Sequence, residues 1–255
     1  MRYGLIGEKL GHSYSKLIHE KIAEYTYDLI PLSKEEFIDF MTKKDFTAIN
    51  VTIPYKQAVI PYLDEMDPLA KEIGAVNTIV NRNGHYIGYN TDFYGFRYML
   101  EHNGIRIKDK KCLILGSGGT SQTVAAVFRH LGADQVLIVS RQSTDTTISY
   151  EECYAVHTDV QIIANTTPQG MYPNIDASPL DLTTFTKCEA VVDAIFNPLE
   201  TRLTLQAKQL GMKGVTGLEM LVAQAKQAIE YFLDQKLEDD VIEDTYHYLL
   251  KEISH

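Results

Sequence analysis

Lys111-Cys112-Leu113-Ile114-Leu115-Gly116-Ser117-Gly118-Gly119-Thr120-Ser121 is a short apolar run that meets a glycine-rich turn and then a stretch of helical spacing. A strand that turns this sharply into a helix aims backbone N–H groups and the positive end of the helix at one point, which suits a pyrophosphate. Gly116 and Gly118 fill the first two positions of a G-x-G-x-x-G pattern, and Ser121 takes the third, where a small residue suffices. Downstream, the spacing predicts a helix over 121–131, a strand over 135–139 and further strands over 160–164 and 190–193. This alternation predicts a parallel sheet covered on both faces. The end of the second strand bears on which dinucleotide is bound. A carboxylate there would accept from a ribose 2′-hydroxyl and repel a 2′-phosphate. The sequence has Ser140-Arg141 instead, with no acid before Asp145, so the expected cofactor is NADP.

Upstream, strand-length apolar runs at 2–6, 27–31 and 47–53 alternate with helical spacing over 16–25 and 34–42. Two more strands, 75–81 and 85–89, flank Asn83-Gly84, a pair suited to the positive φ values of a tight hairpin. A helix is expected after Asn90-Thr91-Asp92. At the far end, with no further strand expected, Leu218, Leu221, Val222, Ala225, Ile229 and Phe232 form one apolar stripe, followed by a helix over 241–250. The fold class is therefore α/β with two domains. An N-terminal α/β substrate domain (1–100, completed by 222–255) precedes a Rossmann-like, doubly wound dinucleotide-binding domain (101–221), and the C-terminal helices pack back on the first domain.

Four polar segments of the first domain make little sense as packing alone. Gly11-His12-Ser13-Tyr14-Ser15 puts two hydroxyls at a helix start. Asn50-Val51-Thr52-Ile53-Pro54-Tyr55-Lys56 is a strand that Pro54 ends, with Asn50 and Thr52 on one face and Lys56 just beyond. Ile73-Gly74-Ala75-Val76-Asn77-Thr78 adds an amide, and Gly88-Tyr89-Asn90-Thr91-Asp92 adds a carboxylate at a strand-to-helix junction. Ser13, Ser15 and Asp92 each have a plainer alternative as helix caps.

Composition excludes several classes. A net charge of −10 over 255 residues argues against nucleic acid as a partner, while leaving room for a small anionic substrate at a locally basic site. No apolar run approaches the roughly 20 residues that a membrane helix needs. The first residues form a strand rather than a signal peptide, so a cytoplasmic location is expected. Cys112, Cys153 and Cys188 are far apart and form no C-x-x-C pair, and the eight histidines have no metal-ligand spacing.

In order along the chain, these segments resemble the shikimate dehydrogenase family, and the resemblance spans nearly the whole sequence. The family pattern GxPxxHSxSPxxH is similar to residues 7–19, and its NVTxPxK, GAxNT and NTD blocks to Asn50–Lys56, Gly74–Thr78 and Asn90–Asp92. Gly116-Ser117-Gly118-Gly119 is similar to GAGG, Asn165–Met171 to N-T/A-T/S-P-x-G-M, and Gly217–Gln224 to GxxMLxxQ. The resemblance implies a cytoplasmic oxidoreductase acting on a CH–OH group. Its reaction would be the reversible NADPH-dependent reduction of 3-dehydroshikimate to shikimate, in the biosynthesis of chorismate and the aromatic amino acids. Ser13 and Ser15 would bind the substrate carboxylate; Thr52, Asn77, Asp92 and Gln224 its hydroxyls; and Lys56, with Asp92 beside it, would be catalytic. NADP would lie on Gly116, Ser117, Gly118, Gly119, Thr120, Ser140, Arg141, Thr166, Ala194 and Gly217, with no metal, in a monomer or homodimer. The chemistry agrees: ketone reduction leaves an alkoxide, which a charged lysine, of ordinary pKa about 10.4, can protonate. Three departures stand out. Lys9 and Lys16 replace prolines, Phe196 replaces a tyrosine of the substrate site, and Gln142–Asp145 lacks a second basic residue. The rival readings are a quinate/shikimate dehydrogenase using NAD, and a non-catalytic dinucleotide sensor.

Overall fold

The computed structural model describes residues 2–11 and 13–253, so His12 of the first polar segment lies outside the described residues. The chain forms two compact units, Met1–Gly95 with Leu221–His255, and Phe96–Met220.

The first unit runs β1 (Tyr3–Gly7), α1 (Ser15–Ile22), β2 (Tyr27–Pro31), α2 (Lys34–Lys43), β3 (Ala48–Val51), β4 (Glu65–Met66), α3 (Pro68–Ile73), β5 (Thr78–Arg82), β6 (His85–Tyr89) and the start of α4 (Thr91–His102). Its sheet has the order β2-β1-β3-β5-β6-β4. β1, β2 and β3 are parallel, whereas β5 runs antiparallel to β3 and to β6. Both faces are covered, which explains why the strands are apolar without alternation. Ile6, Ile49 and Ile79 pack with Phe37 and Met41 of α2, while Leu5, Ala48 and Val80 pack with Ala228 and Phe232. Neighbouring residues thus serve opposite faces, as the period of two requires. Phe232 sits on α8 (Leu218–Leu233), so the C-terminal stripe does return to this sheet, followed by α9 (Asp240–Ile253).

The second unit runs β7 (Lys111–Leu115), α5 (Gly119–His130), β8 (Gln135–Val139), α6 (Tyr150–Val156), β9 (Ile162–Asn165), β10 (Ala190–Asp193), α7 (Arg202–Gln209) and β11 (Lys213–Val215). The sheet order is β11-β10-β9-β7-β8, and every pair is parallel. Strand succession reverses between β7 and β9, the switch point at which doubly wound sheets bind ligands outside their strand carboxyl ends.

Several expectations need correction. β11, only three residues long and half-exposed, has too little apolar pattern to announce itself, so no strand was expected there. α3, α6, α7 and the two-residue β4 were likewise unforeseen. β3 stops at Val51, ahead of the cis Ile53-Pro54 bond, rather than at residue 53. β5 starts at Thr78 rather than at residue 75, and α5 starts at Gly119, two residues early.

Candidate functional site

In the first unit, the polar segments gather at one edge of the sheet. β1 and β3 are parallel, so their carboxyl ends coincide; β5 begins and β6 ends at the same edge, since Asn50 pairs with Thr78 and Thr78 with Tyr89. Thr52 follows β3 and donates its N–H to Ile6 O at 2.9 Å, which sets it beside the end of β1. Lys56 lies in the turn beyond. Its own carbonyl accepts from Val76 N at 2.8 Å, and the neighbouring Tyr55 hydroxyl donates to Leu32 O at 2.7 Å. The turn is thereby tied down at both sides, although no strand reaches it.

Asp92 stands in the first turn of α4, but it does not cap that helix. Asn90 does, accepting from Phe93 N through its side-chain oxygen at 3.2 Å. The Asp92 carboxylate is free for another partner: Oδ2 lies 2.5 Å from Lys56 Nζ, and the two side chains are only 10% and 15% exposed. A charged pair this sheltered is costly to desolvate and holds only with close geometry. The preceding residue, Thr91, hydrogen-bonds to Asn77 and to Gln224 of α8, so two consecutive residues of α4 engage four of the expected residues: Asp92 pairs with Lys56, and Thr91 links Asn77 with Gln224.

The two serines bond to each other at the start of the first helix. Ser13 Oγ accepts from Ser15 N at 3.3 Å, a local turn at the start of α1, and Ser15 is buried. Asn50 is buried and bonded to Tyr27, Asn77 and Thr78. The sequence analysis missed the hydroxyls Thr78 and Thr91 as parts of the site. The available signal was the repeated amide–hydroxyl pair, Asn77-Thr78 and Asn90-Thr91, at the adjoining ends of two antiparallel strands.

In the second unit, the glycine turn has the local geometry its spacing implies. Gly116 has φ +102°, and a side chain there would meet Thr166 Oγ1 at 3.0 Å. Gly118 is the first-turn cap of α5 and supplies no side chain to it, and the space where a Cβ would stand is open. The helix N-terminus therefore faces open space across backbone alone, a cradle of the kind a pyrophosphate occupies. Around it the strand carboxyl ends converge. Thr166 follows β9 and donates its hydroxyl to Leu115 O at 2.7 Å, and Ser117 Oγ lies 3.2 Å from Ser140 Oγ at the end of β8. Ala194 follows β10, and Gly217 packs so closely on it that a Cβ would lie 2.3 Å from Ala194 O. Thr120 is in the first turn of α5, beside Gly119. Arg141 is exposed, and no ion pair engages it among the described residues. A cavity of about 480 Å³ lined by Arg106, Lys110, Glu189 and Lys213 sits at the opposite, amino ends of β7, β10 and β11, and contains none of these residues. The convergent strand ends and the helix N-terminus without a side-chain cap give the glycine turn, and not that cavity, the chemistry that suits a dinucleotide.

Two further properties frame the site. Among the described residues no group of histidine, cysteine, aspartate and glutamate side chains is arranged to hold a metal, and no helix is long and apolar enough to cross a membrane. Cys112, Cys153 and Cys188 are buried free thiols, with burial pushing Cys112 and Cys188 up to about 12 and Cys153 to about 11.

Comparison with known proteins adds the following. A family model described as the shikimate dehydrogenase substrate binding domain matches residues 5–79. The chain is 38% identical to the shikimate dehydrogenase (NADP(+)) of Clostridium beijerinckii, with 96% of each chain covered. It superposes on a chorismate mutase/shikimate 5-dehydrogenase fusion protein of Clostridium acetobutylicum with TM-score 0.92 and 37% identity, covering 99% of this chain and 98% of that one. The shikimate 5-dehydrogenase of Thermus thermophilus, solved with NADP(H) and shikimate, matches at TM-score 0.85 and 29% identity over 97% of this chain and 99% of that one.

Proposed function

The chain belongs to the shikimate dehydrogenase family, and from that premise we propose how its residues divide the work of interconverting shikimate and 3-dehydroshikimate with NADP. It is an NADP-dependent oxidoreductase of aromatic amino-acid biosynthesis. NADP, when bound, supplies or accepts the hydride. Gly116, Ser117, Gly118, Gly119 and Thr120 hold its pyrophosphate on backbone N–H groups, Ser140 and Arg141 its 2′-phosphate, and Thr166, Ala194 and Gly217 line the rest of its seat.

The observation that carries the reading is the 2.5 Å Lys56–Asp92 pair, next in the chain to the Thr91 hydroxyl that links the amides of Asn77 and Gln224. Asp92 aims the Lys56 side chain, so that Nζ can give a proton to the oxygen left on the substrate carbon in reduction. In oxidation the same nitrogen, neutral, takes the hydroxyl proton. Lysine and aspartate act here as one unit, since either charge alone would be stranded away from water. Thr52, Asn77, Asp92 and Gln224 bind the ring hydroxyls, and Ser13 and Ser15 the carboxylate. The buried thiols suit a reducing, cytoplasmic setting.

The test is an absorbance assay at the reduced-nicotinamide band with shikimate and quinate, each against NADP and NAD. Shikimate with NADP is expected to be the best pair. Turnover of quinate with NAD at an equal or higher kcat/KM would replace this reading with the broader quinate/shikimate activity. No turnover of any pair would point to a dinucleotide-binding module without catalysis.

A further inference from the structure

A chain of buried hydrogen bonds runs from the core of the first unit to the two amides of the polar cluster, and its direction can be worked out atom by atom. Tyr27 Oη donates to Asn50 Oδ1 at 2.7 Å. Asn50 Nδ2 spends its two protons on Asn77 O at 3.3 Å and Thr78 Oγ1 at 3.0 Å. Thr78 Oγ1 donates to Asn77 Oδ1 at 3.0 Å, and Thr91 N donates to the same oxygen at 2.7 Å. Both lone pairs of Asn77 Oδ1 are then filled. Asn77 Nδ2 donates to Thr91 Oγ1 at 3.0 Å.

The Thr91 hydroxyl has one proton and three oxygens within reach: Asn77 Oδ1 and Thr78 Oγ1, each at 3.2 Å, and Gln224 Oε1 at 3.3 Å. The first is saturated, and the second keeps one lone pair after accepting from Asn50, whereas Gln224 Oε1 accepts from no other group among the described residues. The proton therefore goes to Gln224 Oε1. Gln224 Nε2 gives one proton to Leu221 O at 2.9 Å. Once these bonds are made, Asn77 retains one N–H and no free lone pair on its carbonyl oxygen, and Gln224 turns its carbonyl to Thr91 and retains one N–H.

The far end of this chain is held rigidly. Tyr27 is fully buried, and its ring stacks on His19 with centroids 3.9 Å apart. Burial also holds its phenol well above the ordinary tyrosine range, so the first proton of the chain is always present. Thr78 and Thr91 are buried as well, and no water competes for their hydroxyls.

We propose that Tyr27, Thr78 and Thr91 are positioning residues that fix the amides of Asn77 and Gln224 so that each turns an N–H toward a hydroxyl oxygen of the substrate. The inference rests on the shikimate-binding reading of Asn77 and Gln224 above, and it makes that recognition dependent on residues that never touch the substrate. A single hydroxyl, Thr91 Oγ1, sets both amides at once.

The test compares wild-type enzyme with Thr91→Val, Thr91→Ser and Tyr27→Phe, measuring KM for shikimate, KM for NADP, kcat and urea stability. Thr91→Val keeps the shape and removes the hydroxyl, so KM for shikimate should rise by about tenfold or more, with KM for NADP unchanged. Thr91→Ser should return KM for shikimate to within about threefold of wild type, and Tyr27→Phe should raise it by about threefold to tenfold. Deoxy analogues of shikimate, each lacking one ring hydroxyl, provide the second readout. For at least one analogue, the penalty for the missing hydroxyl should shrink in Thr91→Val, because its amide partner is no longer aimed. Folded, active Thr91→Val and Tyr27→Phe enzymes with KM for shikimate within twofold of wild type would overturn this inference alone. An equal rise in the NADP constant would do the same. Should Thr91→Val not fold, Tyr27→Phe and Thr91→Ser decide the matter by the same criteria. A wild-type enzyme inactive on shikimate would instead overturn the reading beneath it.

Discussion

Removing the Lys56 side chain tests the catalytic assignment most directly. Lys56→Ala deletes the group whose Nζ stands 2.5 Å from Asp92 Oδ2 and leaves that carboxylate, 10% exposed, without its counter-charge. Proton transfer by a positioned side chain is worth about 10²–10⁴-fold in rate, or about 2.7–5.5 kcal/mol of barrier. Breaking a fully buried pair costs about 3–5 kcal/mol of stability. Here the alanine opens a path for water to a carboxylate that is already slightly exposed, so the lower end, about 3 kcal/mol, is expected. Asp92→Asn should also lose turnover, since Lys56 then loses the carboxylate that aims it. The double variant should lose less than the sum of the two, with a coupling of about 0.5–3 kcal/mol in both turnover and stability. The assay is steady-state oxidation of shikimate with NADP. Urea unfolding and NADP titration on each variant show that the second unit is untouched. A Lys56→Ala enzyme with more than about a tenth of wild-type turnover would refute the assignment. Strictly additive losses would show that lysine and aspartate do not act as a unit.

Three further outcomes are expected. Arg141→Ala should raise KM for NADPH by about 10- to 150-fold and hardly change that for NADH, since a charge-assisted contact to phosphate is worth about 1.5–3 kcal/mol; equal weakening of both would make Arg141 structural. Phe196 is half-buried at the end of β10, so Phe196→Tyr should be tolerated and lower KM for shikimate by up to about tenfold; a loss of stability with no change in that constant would show that the ring does not serve the substrate. His19 is buried, and burial pushes its imidazole down to about 3 from an ordinary 6.5. The unfolded chain therefore takes up a proton that the native state refuses. Stability from this residue is complete above about pH 6.5 and declines toward pH 3, at about 1.4 kcal/mol per pH unit. His19→Gln should flatten that decline in urea titrations across this range, and an unchanged slope would refute the role.

What the sequence alone determined was local. Lys111–Leu115 is a short apolar run of strand length, and the glycines after it allow a sharp turn into a helix, so β7, the turn and α5 were legible from spacing. The stripe from Leu218 to Phe232 announced α8 in the same way, because a period of 3.6 leaves its mark on one segment regardless of what it packs against. Arg141 at the end of β8 spoke for a phosphate through charge alone. The pairing of Lys56 with Asp92, 36 residues apart, was legible only through resemblance, since nothing in either segment's own pattern calls for the other. Only the sheet register settles it, by bringing the ends of β3, β5 and β6 to one edge. The same register turns Asn50 inward to Tyr27 and makes Asn90, not Asp92, the cap of α4, choices between near-equal local bonds that sequence leaves open. β11 escaped notice because three half-exposed residues carry no periodicity, and it is held by pairing with β10 rather than by its own propensity. Short-range patterns are written in side-chain spacing. Long-range contacts are decided by which edges meet, and that is a property of the folded sheet.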